Sequence, residues 1–181
     1  MKNPELLDLY SDYLISSFKL ATATNMSAVL NGAVSHDKIS RFLGQRLFTP
    51  IDYWKCIKPI VRAIEHEDGV IKIDDTIEEK PHSTENNIIC WHWDHSKNRH
   101  VKGINLLNFL YQSPLQETNR CSIPVAFEVI EKAEPFVDKK SGKVKRRSKV
   151  SKNELLRNRL RTLHQLNRVK FKYVLWDTWF S

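Results

Sequence analysis

The feature that most constrains this chain is a helix that returns a strand. The segment NELLRNRLRTLHQLNRV (153–169) carries Leu155, Leu156, Leu160, Leu163 and Leu166 at helical spacing, and the apolar run FKYVLW (171–176) follows it directly, ending at Asp177. A helix joining two strands of one sheet carries the chain back right-handedly, so the second strand lies parallel to an earlier one. The expected partner is VIKIDDT (70–76), a short strand behind the Asp68-Gly69 turn signal. That pairing would set Asp75 and Asp177 at neighbouring strand ends, where ligands of open α/β sheets gather. Strand alternation puts Asp75 on the face of Ile71 and Ile73, with Asp74 on the other. A bare carboxylate among apolar neighbours is costly, and two facing carboxylates repel unless a cation bridges them. Hard oxygen donors suit Mg²⁺ or Mn²⁺. Taken alone, Asp74-Asp75-Thr76 is a weak motif that reads first as a turn or capping sequence.

The rest of the chain fits an α/β protein: an N-terminal helical region (1–66), then a partial mixed sheet (67–181) of three strands, a helix and a fourth strand. Pro4 suits a first helical turn behind an Asn3 cap, and Leu6, Leu7, Tyr10, Tyr13, Leu14 and Phe18 line one face. A short helix over 25–30 closes at Asn31-Gly32. Ser35 caps a third, HDKISRFLGQ, and a fourth starts at Thr49-Pro50. Helix, tight turn and helix, with Lys38, Arg41 and Arg46 around the second element, match a helix-turn-helix pattern as well as an ordinary helical hairpin. The second and third strands are VKGINLLNFLYQ (101–112) and IPVAFEVIEK (123–132). Residues 138–152, DKKSGKVKRRSKVSK, read as a polar basic loop.

Charge is concentrated. Lys and Arg number 15 against 19 Asp and Glu through residue 138, then 14 against 2 from residue 139 onward. Such a basic segment points to a polyanion partner, since neutralising phosphates releases counterions. Lys145, Arg146 and Arg147 are the expected phosphate contacts, which position a nucleic acid without reading its sequence. No apolar run reaches the roughly 20 residues of a membrane span. The three cysteines form no paired framework, and the N-terminus lacks signal features, so a cytoplasmic location is expected.

The block IDDTIEEKPHSTENNIICWHWDHSKNRHVKGINLLNFLYQ resembles the first catalytic block of bacterial insertion-sequence transposases with the DDE nuclease domain. FKYVLWDTWFS is similar to that family's second block, and LNGAVSHDKISRFL resembles its helical N-terminal region. The resemblance implies a ribonuclease-H-like fold and cleavage and joining of transposon-end DNA with Mg²⁺ or Mn²⁺. Asp75 and Asp177 match the first and second catalytic, metal-holding carboxylates. It also implies a homodimer on paired ends, at the bacterial nucleoid when DNA-bound. The family's third carboxylate, a glutamate, lies on a helix beyond the second block, whereas the sequence stops at Ser181. The chain therefore reads as the N-terminal part of a transposase, expected to be inactive alone, or as a catalytically inert DNA-binding remnant. Trp179, just past Asp177, and Lys102, in the middle block, join the DNA-contact candidates.

Cys90, His92, His95 and His100 form C-x-H-x2-H-x4-H, a poor match to paired zinc spacings. They read better as polar residues of a strand-loop segment. Trp91, Trp93 and Trp176 could stack on bases, but such residues more often fill core.

Overall fold

The computed structural model of the chain describes residues 4–18, 21–44, 49–114 and 122–177. Two compact units divide at Thr49 and Pro50.

The first unit holds α1 (Pro4–Ser16), α2 (Ala23–Val29) and α3 (His36–Gly44). Thr22 starts α2 by accepting the Asn25 N–H at 3.0 Å. Behind that helix Asn31 (φ 51°) and Gly32 (φ 77°) turn the chain, and the Gly32 N–H reaches the Ser27 carbonyl at 2.8 Å. Glycine takes this left-handed backbone without a Cβ clash. Ser35 caps α3 through the Lys38 N–H at 3.3 Å. Leu6, Tyr13, Met26 and Ile39 form the core. The buried Tyr13 hydroxyl is satisfied by the Asn25 side-chain amide at 2.9 Å and the Thr22 N–H at 3.2 Å. The expected Asn3 cap lies outside the described residues.

The second unit contains α4 (Pro50–Ile64), β1 (Val70–Glu79), β2 (Cys90–Asp94), β3 (Arg99–Gln112), β4 (Ser122–Val129), β5 (Glu134–Val137), β6 (Val144–Arg147), α5 (Lys152–Arg161) and β7 (Tyr173–Trp176). A π-helical turn, Thr162–Leu166, extends α5. The fold is mixed α/β with a mixed sheet built around β3. One edge of β3 pairs antiparallel with β1, from Val70↔Gln112 to Glu79↔Gly103. Its other edge carries β2 and β4 end to end, against residues 99–103 and 106–112. On the remaining edge of β1, β7 pairs in parallel, from Val70↔Tyr173 to Ile73↔Trp176. The return expected from the crossover helix is therefore present.

Alternation decides the two faces of this sheet. Ile71, Ile73, Leu107, Phe109 and Tyr111 point inward under Val61 of α4, Leu156 of α5 and Leu163 of the π-helical turn. The outer face bears Trp91, Trp93, Phe127, Tyr173 and Leu175, each at least 40% exposed.

Three expectations are corrected. The unit boundary falls ahead of α4 rather than near residue 66, because Trp54, Ile57, Val61 and Ile64 pack into the core of the sheet. The sheet has five strands rather than four. The extra strand, β2, escapes the apolar alternation rule because its polarity is inverted, with Cys90, His92 and Asp94 buried and Trp91 and Trp93 outside. Residues 138–152 are not a loop throughout: β6 pairs with β5 as a separate two-stranded hairpin. Its strands are joined by Arg147–Glu134 at 3.1 Å, and its turn by Lys145–Asp138 at 2.6 Å and the Ser141 hydroxyl on Asp138 at 2.6 Å. Charge pairing leaves no apolar period to read.

Candidate functional site

Beyond Ile73, the inward face of β1 meets Asp75, whose side chain is 16% exposed. Its Oδ2 accepts a hydrogen bond from the Asn105 amide at 3.3 Å and an ion pair from Lys152. Ser151 explains the lysine's place. Its hydroxyl caps α5 through the Glu154 N–H at 3.2 Å, so Lys152 opens the helix at Asp75. The parallel register carries β7 to Trp176 beside Ile73, and Asp177 follows at the end of the strand. Asp75 and Asp177 line one cleft of about 550 Å³, together with Asp74, Trp93, Asp94 and Lys97.

The other two acids of the cleft hold backbone. Asp74 accepts the Asp75 N–H at 2.8 Å. Asp94 accepts the Ser96 hydroxyl at 2.6 Å and the N–H groups of Ser96 and Lys97 at 3.0 and 3.1 Å, fixing the β2–β3 turn. The Ser96 hydroxyl is the main reason the Asp94 carboxyl titrates below its ordinary range. Among the described residues, no three His, Cys, Asp or Glu side chains come together as a metal-holding group.

A cation still suits the place. Asp75 is already neutralised by one, the Lys152 ammonium. Beside it, the fully buried Asn105 keeps its Oδ1 without a hydrogen-bond partner, an acceptor whose burial calls for a reason. Carboxylate and amide oxygens are the donors a hard divalent ion takes. Sequence reading brings Asp75 and Asp177 together, as the cleft does, but passes over Lys152, inside the expected loop, and Asn105, one polar residue in an apolar strand. Asn105 could have been found from the alternation of β3, which aims it inward.

Farther along the same face, Cys90 Sγ lies 3.3 Å from His92 Nε2, both buried. Burial pushes the Cys90 thiol up and the His92 imidazole down, from 6.5 to about 4, with Lys132 and Lys152 adding to the histidine's fall. The fold keeps His92 neutral, whereas the unfolded chain binds a proton below pH 6.5. Stability present above pH 6.5 is therefore lost as the pH falls toward 4, by roughly 3 kcal/mol over that window. Thermal melts of wild type and His92→Gln should diverge there, with the variant less sensitive to acid. Parallel pH slopes would show that His92 carries its charge in the fold.

The zinc reading of this segment does not survive its geometry. His100 lies opposite Trp93 on the outer face, rings 5.0 Å apart, and His95 stands in the turn at 6.4 Å from the Trp93 ring, away from buried Cys90 and His92.

Of the expected DNA contacts, Lys38 and Arg41 are exposed on α3. Lys102 lies on the outer sheet face opposite Trp91. Lys145, Arg146 and Arg147 all sit on β6 with partners of their own: Asp138 for Lys145, Asn87 at 2.8 Å for Arg146, and Glu134 for Arg147. Arg46 and Trp179 lie outside the described residues. Among the described residues, no helix is long and apolar enough to cross a membrane.

Comparison with known proteins finds no matching family model, no matching curated protein and no matching solved structure.

Proposed function

We propose that this chain carries the paired-carboxylate site of an insertion-sequence DNA transposase with a ribonuclease-H-like nuclease domain, working on transposon-end and target DNA in the bacterial cytoplasm. One observation carries the reading: the parallel pairing of β7 with β1 brings Asp177 and Asp75 to a single cleft. The antiparallel run β1–β3–β4, the crossover through α5 and the return beside β1 support the ribonuclease-H-like part. Asp75 and Asp177 would hold Mg²⁺ or Mn²⁺, which when bound activates a water or 3′-hydroxyl and stabilises the leaving oxygen. Asn105 orients Asp75 through its amide, and Lys152 supplies positive charge where a scissile phosphate would approach. A homodimer on paired ends belongs to the same proposal.

A second reading, a DNA-binding remnant without catalysis, is favoured by the ion pair that engages Asp75. Mn²⁺ titration of the full chain tests the first reading. Asp177→Ala should weaken binding at least about tenfold, while Glu67→Ala, which removes an exposed carboxylate paired with Lys170 outside the cleft, should leave it within about threefold. Equal loss in both variants, or in neither, would overturn the paired site. Plasmid nicking in Mn²⁺ that disappears with Asp177→Ala would reject the inert remnant.

A further inference from the structure

The second large cavity, about 480 Å³, lies between the β5–β6 hairpin and the outer side of β2, away from the carboxylates. Trp91 (53% exposed) and Phe136 (37% exposed) form aromatic walls. Lys132, Lys143, Lys145 and Arg146 supply four positive charges around them, against Glu85 in the lining and Asp138 behind Lys145.

The cations are held in different ways. Lys132 donates to the Trp91 carbonyl at 2.7 Å, which fixes it to the strand carrying the indole, and burial lowers its pKa. Arg146 is anchored by Asn87 at 2.8 Å and lies 3.7 Å from Glu85. Lys145 is paired with Asp138, while Lys143 makes no ion pair among the described residues. The cavity thus offers flat apolar surface at its walls and excess positive charge at its rim. A duplex presents phosphates but hides the faces of its bases. An unpaired nucleotide presents a phosphate together with a π-face. Its size also falls within the range of small-ligand cavities, roughly 300–1,000 Å³.

We propose that this cavity binds an unpaired nucleotide of single-stranded nucleic acid, with the base against Trp91 and Phe136 and the phosphate at Lys143 and Lys145. The proposal deepens the reading above by naming the form of nucleic acid bound, yet it uses none of the carboxylate residues.

Fluorescence anisotropy of the full chain with a short labelled thymidine oligonucleotide tests it, with the blunt duplex of the same length and polyglutamate as competitors. The single strand should bind about tenfold tighter than the duplex, and polyglutamate should compete poorly. Trp91→Ala should lose about tenfold on the single strand and nothing on the duplex, the worth of one stacked base. Trp91→Phe should keep most of the affinity, separating stacking from any change in folding. Lys143→Ala with Lys145→Ala should flatten the salt dependence. Equal binding of single strand and duplex, an unaffected Trp91→Ala, or efficient competition by polyglutamate would overturn the proposal. The lining of this cavity shares no residue with the carboxylate cleft, so failure of the metal titration leaves the present outcome standing.

Discussion

Gly103→Ala should destabilise the second unit by about 3 kcal/mol and lower its melting temperature by roughly 10 °C. Gly103 is buried in β3 and is paired on both edges at once, with Glu79 of β1 and Cys90 of β2. A Cβ there would stand 2.3 Å from the Glu78 carbonyl oxygen and 2.9 Å from its carbon. The obstructing atoms are backbone inside a strand pair, so no side chain can swing aside, and relief requires β1 and β3 to part. Glycine inside a strand marks this kind of close approach. Gly44→Ala, at the end of α3 in the first unit, controls for the chemical change alone, since its Cβ would meet nothing within 4 Å. It should stay within about 0.5 kcal/mol of wild type. Circular-dichroism melts of the two variants decide the matter. A Gly103→Ala protein as stable as the control would mean that β1 and β3 do not approach as described.

Asp75→Ala should weaken Mn²⁺ binding by more than about 100-fold, beyond the loss typical of residues that only support a metal ligand. The same change strips Lys152 of its carboxylate partner and Asn105 of its acceptor. Lys152→Met gives the opposite result under the same model. Its ammonium competes with a divalent ion for Asp75 Oδ2, so its removal should tighten Mn²⁺ binding about tenfold, equivalent to about 1.4 kcal/mol. Opposite shifts from two residues in one ion pair separate competition from general damage to the site. If both variants weaken binding equally, Lys152 is a support of the site and not a competitor for it.

These residues also show where the sequence was readable. β3 and the first half of β1 are legible because apolar alternation and burial agree along them, β4 and β7 only as apolar, β-branched runs whose burial does not alternate, and α5 because its leucines recur at helical spacing. The meeting of Asp75 and Asp177 followed from the handedness of a crossover, which needs no side-chain detail. β2 was hidden because it buries a thiol, an imidazole and a carboxylate while exposing two indoles. The β5–β6 hairpin was hidden because ion pairs between its strands, and not a shared apolar face, hold it. Lys152 could not be separated from its basic neighbours by composition. Its role comes from the serine before it, which decides where the helix begins.

The pairing of Val70 with Tyr173 joins residues about a hundred positions apart, through only four residues at the edge of the sheet. Closing so long a loop carries an entropy cost that the local hairpins β2–β3 and β5–β6 avoid. That cost falls on the pairing that carries Asp177 to the cleft of Asp75, whereas Asp75 sits on a strand held by β3 along ten residues. The second carboxylate therefore depends on the shortest strand of the sheet, and local opening of that edge parts it from the first while β1 and β3 stay joined.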